Sequence, residues 1–85
     1  MDVLYPRCCG LDVHQKTVVA CIKTPEGKET RTFKAVTREL LEFADWLAAE
    51  GVTHVAMEST GVYWQPVYNL LEQRDFTLMV VNAHA

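Results

Sequence analysis

Two short apolar runs near the start of the chain restrict most strongly what it can fold into. Residues 7–14 and 17–23 are separated only by Gln15 and Lys16, and the second run is rich in β-branched side chains. Runs of this length and composition on either side of a polar step predict a β-hairpin. The chain is therefore expected to begin with paired antiparallel strands.

A third strand is indicated after the next turn. Residues 24–28 contain a proline and a glycine, and residues 30–36 then alternate polar and apolar side chains. That alternation is typical of a half-exposed strand at the edge of a sheet. Three antiparallel strands should thus open the domain.

The pattern then changes to a helical one. Thr37 suits an N-cap, Glu39 lies in the first turn, and Gly51 is placed to end the helix. The expected inward-facing stripe consists of Leu40, Ala44, Leu47 and Ala48. One helix is therefore predicted between residues 37 and 50.

Two further strands and a second helix complete the pattern. Residues 52–57 are largely apolar, a helix follows with Pro66 near its start, and residues 77–81 form an apolar run that suits a strand covered on both faces. The expected inner face of the second helix consists of Val67, Leu70 and Leu71. The order β-β-β-α-β-α-β predicts a single α/β domain over residues 1–85, with a mixed sheet, the first strand near its middle and helices on both faces.

The charge balance argues against a strongly DNA-binding surface in this segment. Eight basic and eleven acidic residues give a net charge of −3, whereas non-specific DNA affinity usually arises from excess positive charge. If the chain acts on DNA, most phosphate contacts are expected to come from elsewhere. The N-terminus has no signal-peptide pattern and no run is long enough to span a membrane, so a cytoplasmic location is expected.

The three cysteines are expected to be reduced residues of the core. Cys8, Cys9 and Cys21 lie in strand-like apolar runs and have no C-x-x-C spacing. If the first turn is centred on Gln15, Cys9 and Cys21 face each other across the hairpin. A packed pair of thiols is then a commoner arrangement than a redox site.

Two acidic residues stand where the predicted sheet has its core strands. Asp12 lies inside the expected central strand, where a buried carboxylate needs compensation, and Glu58 ends a later core strand. Because ligands of open α/β sheets bind at the carboxyl ends of strands, the two carboxylates are expected to converge there. Such hard oxygen ligands match Mg²⁺ or Mn²⁺ and suit phosphodiester chemistry. The alternative is that Asp12 begins a tight turn and Glu58 caps the following helix.

Other polar and aromatic residues near these acids have two interpretations each. His14 shares a strand face with Asp12 and can reach metal or phosphate, although a solvated turn histidine is the commoner case. Ser59 and Thr60 are favoured as helix caps rather than nucleophiles. For Tyr63 and Trp64, the alternatives are stacking on a base and packing of the second helix against the sheet.

Three blocks of sequence together resemble the N-terminal DEDD domain of the IS110 family of transposases. They are Gly-Leu-Asp-Val-His at residues 10–14, Glu-Ser-Thr-Gly-Val-Tyr-Trp at residues 58–64 with Pro66, and Val-Val-Asn at residues 80–82. The second and third blocks are the specific ones, and the spacing between the blocks also fits. The likeness extends over essentially the whole chain.

The resemblance implies a fold similar to Holliday-junction resolvases of the ribonuclease H class. It matches Asp12 to the first catalytic aspartate of the family and Glu58 to its catalytic glutamate, both as ligands of Mg²⁺ or Mn²⁺. The remaining acid pair of the family is expected beyond residue 85, so this domain is expected to hold only part of the ligand set. The implied partners of the full-length protein are the DNA of mobile-element ends and targets, a guide RNA and further copies of itself, with no membrane.

Two alternatives stay open at this stage. Sugar kinases and actin-like ATPases also begin with a Gly-x-Asp strand, but they place a glycine soon after the aspartate, where this chain has Val13, His14 and Gln15. The second alternative is that the chain is a non-catalytic remnant that only folds or only binds a partner. Such a remnant is expected to expose one sheet face and to self-associate through an apolar patch.

Overall fold

Seven elements make up the fold in the computed structural model, which describes residues 5–59 and 61–82. In chain order they are β1 (Cys8–Val13), β2 (Thr17–Thr24), β3 (Gly27–Lys34), α1 (Thr37–Ala49), β4 (His54–Ser59), α2 (Trp64–Glu72) and β5 (Thr77–Asn82). The predicted order β-β-β-α-β-α-β is confirmed. The chain is an α/β domain with a five-stranded mixed sheet and two helices.

The sheet has the strand order β3-β2-β1-β4-β5, so β1 lies at its centre as expected. β2 pairs antiparallel with both β1 and β3. β4 pairs parallel with β1, and β5 pairs parallel with β4. The antiparallel half and the parallel half therefore meet at β1.

Both helices cover the same face of this sheet. Alternate residues of the central strands, such as Leu11, Ala20 and Met57, form one buried cluster with Phe43 of α1 and Leu71 of α2. The expectation of helices on both faces is therefore wrong for the described residues. The reason is topological, because two successive right-handed crossovers that both step toward β5 must pass over the same side.

The opposite face, called here the open face, has no helix over it in the described part of the chain. On β5 this leaves Met79 58% exposed and Val81 38% exposed, whereas Leu78 and Val80 pack against the core on the helix side. The prediction that residues 77–81 are covered on both faces is thus wrong. An apolar run does not by itself distinguish a buried strand from an edge strand with one open side.

Helix α1 begins and ends through backbone contacts rather than through the predicted threonine cap. Thr37 is the first helical residue, and Val36 occupies the N-cap position without a side-chain hydrogen bond. The Glu39 carboxylate instead accepts a hydrogen bond from the backbone N–H of Lys34, 2.9 Å away. Gly51 ends the helix with a φ of 70°, as predicted, and the N–H of Val52 donates to the Leu47 carbonyl as in a Schellman motif.

The buried stripe of α1 also differs from the expected one by one residue. Leu40, Ala44 and Leu47 are buried as predicted, but Phe43 is fully buried and Ala48 is exposed. Phe43 fills the space beside Phe33 of β3, with the ring centroids 5.2 Å apart. On α2 the buried residues are Val67 and Leu71, and Leu70 is partly buried.

The register of the first hairpin separates two of the cysteines. Cys9 pairs with Ile22 and Cys21 pairs with Gly10, so the turn is centred between Gln15 and Lys16 rather than on Gln15. A shift of one residue moves a side chain to the other face. Cys9 therefore lies in the core under the helices and Cys21 on the open face, and the expected pairing of these two is wrong. All three cysteines are free, and Cys21 is only partly buried.

None of the helices in the described part of the chain has the length and apolar character that a membrane span requires.

Candidate active site

Asp12 and Glu58 lie side by side on the two central strands. They are register partners in the parallel pairing of β1 and β4, which brings their Cα atoms to about the strand spacing of 4.8 Å. Side chains of paired residues point to the same face, and the buried residues before and after each acid point to the other. The sequence prediction that these two residues converge is therefore confirmed in position, and both lie on the open face.

Both carboxylates are in contact with solvent. The side chain of Asp12 is 62% exposed, and Glu58 is also exposed. Asp12 was expected to carry a buried charge that needs compensation, and this is wrong because the open face leaves it hydrated. The pair can therefore be reached by an incoming ion or phosphate without any movement of the core.

His14 contacts one of the two acids. Its Nε2 atom lies 3.1 Å from Oδ2 of Asp12, and its side chain is 54% exposed. The residue sits at the start of the first hairpin turn, where its backbone N–H donates to the Thr17 carbonyl. His14 is thus both a solvated turn residue and a close contact of the Asp12 carboxylate.

The row of side chains across the open face explains the shape of this site. Val19 pairs with Asp12 and Val81 pairs with Glu58, so the two acids are flanked by two valines. One row closer to the amino end of β1, Gly10 and Ala56 are paired, and a Cβ placed on Gly10 would meet no atom within 4 Å. The floor beside the carboxylates is therefore low and open.

The two acids alone are too few for a complete metal site. No group of three or more His, Cys, Asp or Glu side chains in residues 5–59 and 61–82 is arranged to hold a metal ion. Asp12 and Glu58 form a pair, with His14 beside one of them. Whether this pair binds Mg²⁺ or Mn²⁺ stays a prediction.

A family model for DEDD transposases of the IS110 type matches residues 9–85 of the sequence. The chain belongs to this transposase family. The match includes both acids and all three sequence blocks on which the resemblance rested. No curated protein sequence matches the chain.

The fold of this transposase-family chain is also similar to part of a solved structure. Pelota from Archaeoglobus fulgidus superposes with a TM-score of 0.67 at 16% sequence identity. The match covers 94% of this chain but only 27% of the Pelota chain. At that identity the likeness shows a shared fold alone.

The predicted cap Ser59 does not stand at the N-cap position of α2. Ser59 is buried and lies on the helix side of the sheet, opposite the acids, and Thr60 lies outside the described residues. α2 begins at Trp64 with Tyr63 at its N-cap position and no side-chain cap hydrogen bond. Neither Ser59, the expected cap, nor Glu58, the alternative, therefore occupies the N-cap position of α2.

The two aromatic residues at this helix start differ in their surroundings. Trp64 is partly buried and packs edge-on against Tyr68, with ring centroids 5.7 Å apart. Tyr63 is 42% exposed, and the neighbouring Val62 is 63% exposed. Packing is thus confirmed for Trp64, whereas Tyr63 presents much of its ring to solvent.

Sequence reasoning missed the residues that border the acids. Val19 and Val81 become neighbours of the carboxylates only through strand register, which no local pattern reports. A hairpin turn centred between Gln15 and Lys16 is the one signal that pairs residue 12 with residue 19. The predicted polar step at Gln15 and Lys16 agrees with this centre, whereas a turn centred on Gln15 does not.

Proposed function

We propose that this chain is the N-terminal part of a ribonuclease-H-like catalytic domain that breaks and rejoins DNA with divalent metal ions during transposition. Membership of the transposase family supports the general activity. The observation that carries the proposal is the in-register pairing of Asp12 with Glu58 on one open face. A sheet that starts with antiparallel strands and continues in parallel beyond β1 supports the fold assignment.

The donor set fits a hard divalent cation. The Asp12 and Glu58 carboxylates on adjacent strands would offer a divalent cation only oxygen ligands, the kind that Mg²⁺ and Mn²⁺ prefer. An octahedral ion needs about six ligands. We infer that water, substrate phosphate oxygens and the second acid pair implied by the family resemblance supply the others.

In this mechanism Asp12, Glu58 and His14 serve to place two negatively charged carboxylates at one point of the sheet. The central strands hold the Asp12 and Glu58 carboxylates next to each other, where they would hold a divalent cation beside a bound phosphodiester. A bound metal ion supplies Lewis acidity and lowers the pKa of coordinated water. His14, in contact with Oδ2 of Asp12, holds that carboxylate in one orientation.

The partners of the full-length protein follow from the same proposal. DNA is the substrate class that a transposase family implies. Because this chain has a net charge of −3, other parts of the protein are proposed to bind most of the DNA phosphates and any guide RNA. The exposed apolar residues of the open face support assembly with further copies of the chain, and a cytoplasmic location stays a prediction.

The metal role can be tested with the chain itself. Mn²⁺ is paramagnetic and broadens the NMR signals of nearby nuclei, so titration should first remove the backbone amide signals of residues 11–13 and 57–59. Asp12→Asn and Glu58→Gln should each reduce this selective broadening. Glu42→Gln, at an exposed acid on α1, is the matched control and should leave it unchanged. If both site variants keep the broadening of the unmodified chain, the metal site does not exist.

A further inference from the structure

A groove crosses the helix side of the sheet at the carboxyl ends of β1, β3 and β4. It has a volume of about 370 Å³, within the range of small-ligand sites. Its apolar walls come from the first turns of both helices, with Leu40 of α1 and Pro66 and Val67 of α2. Gly61, with a φ of 65°, makes the turn just before it.

Three side-chain amides line this groove. Gln15 approaches from the first hairpin turn, and Gln65 and Asn69 lie one helical turn apart on α2. Gln65 and Asn69 are exposed and offer both donors and acceptors. Amide side chains of this kind form paired hydrogen bonds with the edges of nucleobases.

Aromatic rings flank the same amides on two sides. Tyr63 lines the groove and is 42% exposed. On the other side of Gln65 and Asn69, a second recess is lined by Trp64 and Tyr68. Unpaired bases stack on exposed aromatic rings and form hydrogen bonds with neighbouring amide side chains.

The described residues that line these two recesses include no charged side chain. Recesses without basic residues favour contacts to exposed bases over contacts to phosphates, and the bases of a duplex are already paired and stacked. An acidic or basic peptide would likewise find no charge partner here. Flat, uncharged, hydrogen-bonding groups remain the chemistry that fits.

We propose that the amide-and-aromatic surface of α2, centred on Tyr63, Gln65 and Asn69, binds unpaired bases of single-stranded DNA. Gln15 lies two residues beyond the end of β1, the strand that carries Asp12, and Tyr63 lies five positions after Glu58. A DNA strand held at the acids can therefore continue over the rim of the sheet and place its next bases in the groove. This step rests on the proposed function, and the binding itself requires no metal.

The experiment measures binding of a fluorescein-labelled oligothymidylate of about eight nucleotides by fluorescence anisotropy, with EDTA present. Tyr63→Ala should weaken binding about tenfold, because one stacking contact is removed. Tyr63→Phe keeps the aromatic face and should bind like the unmodified chain. Tyr5→Ala is the matched control, since Tyr5 is a similarly exposed tyrosine that stacks on His54 at the opposite end of β4.

A second measurement follows the side-chain amide NMR signals of Gln15, Gln65 and Asn69 during the same titration. Selective shifts of these signals support the proposal, and their absence overturns it. It is also overturned if Tyr63→Ala and Tyr5→Ala weaken binding equally, if a duplex of the same length binds as tightly, or if oligouridylate RNA binds more tightly. Because EDTA removes divalent cations, this binding does not depend on the metal site, so a failed metal site and a failed base site give different results.

Discussion

Nε2 of His14 lies 3.1 Å from Oδ2 of Asp12, which itself is the register partner of Glu58. The contact joins the first hairpin turn to the centre of the open face. It places the imidazole against Oδ2, one of the two oxygens of the Asp12 carboxylate. The Asp12 side of the site therefore already has a neighbouring imidazole when no ligand is bound.

Replacement of His14 should affect metal binding more than stability. Because both partners are more than half exposed, His14→Ala should change the free energy of unfolding by less than about 1 kcal/mol. Loss of the His14 contact with the Asp12 carboxylate should weaken Mn²⁺ binding about tenfold, as judged by titration followed by NMR. An affinity that rises instead would show that the imidazole competes with the cation.

Phe43 should be the most costly residue of α1 to truncate. It is fully buried and contacts the ring of Phe33, so Phe43→Ala should lower the free energy of unfolding by about 3–5 kcal/mol. A domain of this length has about 4–13 kcal/mol in total, and urea denaturation will register the loss clearly. Leu41→Ala, on the exposed side of the same helix, should cost far less. Equal losses in the two variants would contradict the packing described above.

Two glycines with the same backbone conformation allow a matched comparison. Gly51 and Gly61 have φ values of 70° and 65°, so alanine at either should cost about 1–2 kcal/mol. Only at Gly51 would the new Cβ crowd a neighbour, Cδ of Arg7 at 3.2 Å, whose guanidinium donates to the Glu50 carbonyl. Gly51→Ala should therefore be the more destabilising in urea denaturation. The reverse order would mean that Arg7 makes no contribution there.

Burial raises the pKa of the Cys9 thiol from 9.0 to about 12, with a smaller contribution from the neighbouring Cys21 and Cys8 thiols. The unfolded chain loses this proton near pH 9 and the folded chain retains it, so the stabilising contribution is full below pH 9 and is lost as the pH rises toward 12. Cys9→Ala should make the decline in stability above pH 9 shallower. In Cys21→Ala, stability should still decline more steeply above pH 9 than it does in Cys9→Ala. Urea denaturation at several pH values measures both declines.

The open face should make the chain self-associate. Met79 is 58% exposed on the edge strand β5, beside the exposed Val81. An edge strand with apolar side chains on an uncovered face is a template for pairing with another chain. Sedimentation velocity should show association that grows with concentration and decreases in Met79→Lys. Leu41→Lys, on exposed α1 surface, should have little effect, and a monomer at all concentrations would exclude this interface.

The order of elements could be predicted because each depends on local pattern. The β-branched run of β2, the helical stripe with Leu40 and Leu47, and the positive φ of Gly51 all arise within a few residues of the chain. The convergence of Asp12 and Glu58 was also accessible, since parallel strands bring their carboxyl ends to one edge. These features follow from the periodicity of helices and strands and from chain connectivity.

The rest depended on contacts between residues far apart in sequence. Hairpin register placed Cys9 and Cys21 on opposite faces, and the common direction of both crossovers left Met79 uncovered. A period-two pattern identifies two faces of a strand but does not say which one another element will cover. The sequence by itself therefore determined the elements and the two candidate acids. Only the tertiary structure decided that these acids lie on a hydrated open face, because exposure is a property of the packed sheet rather than of any one strand.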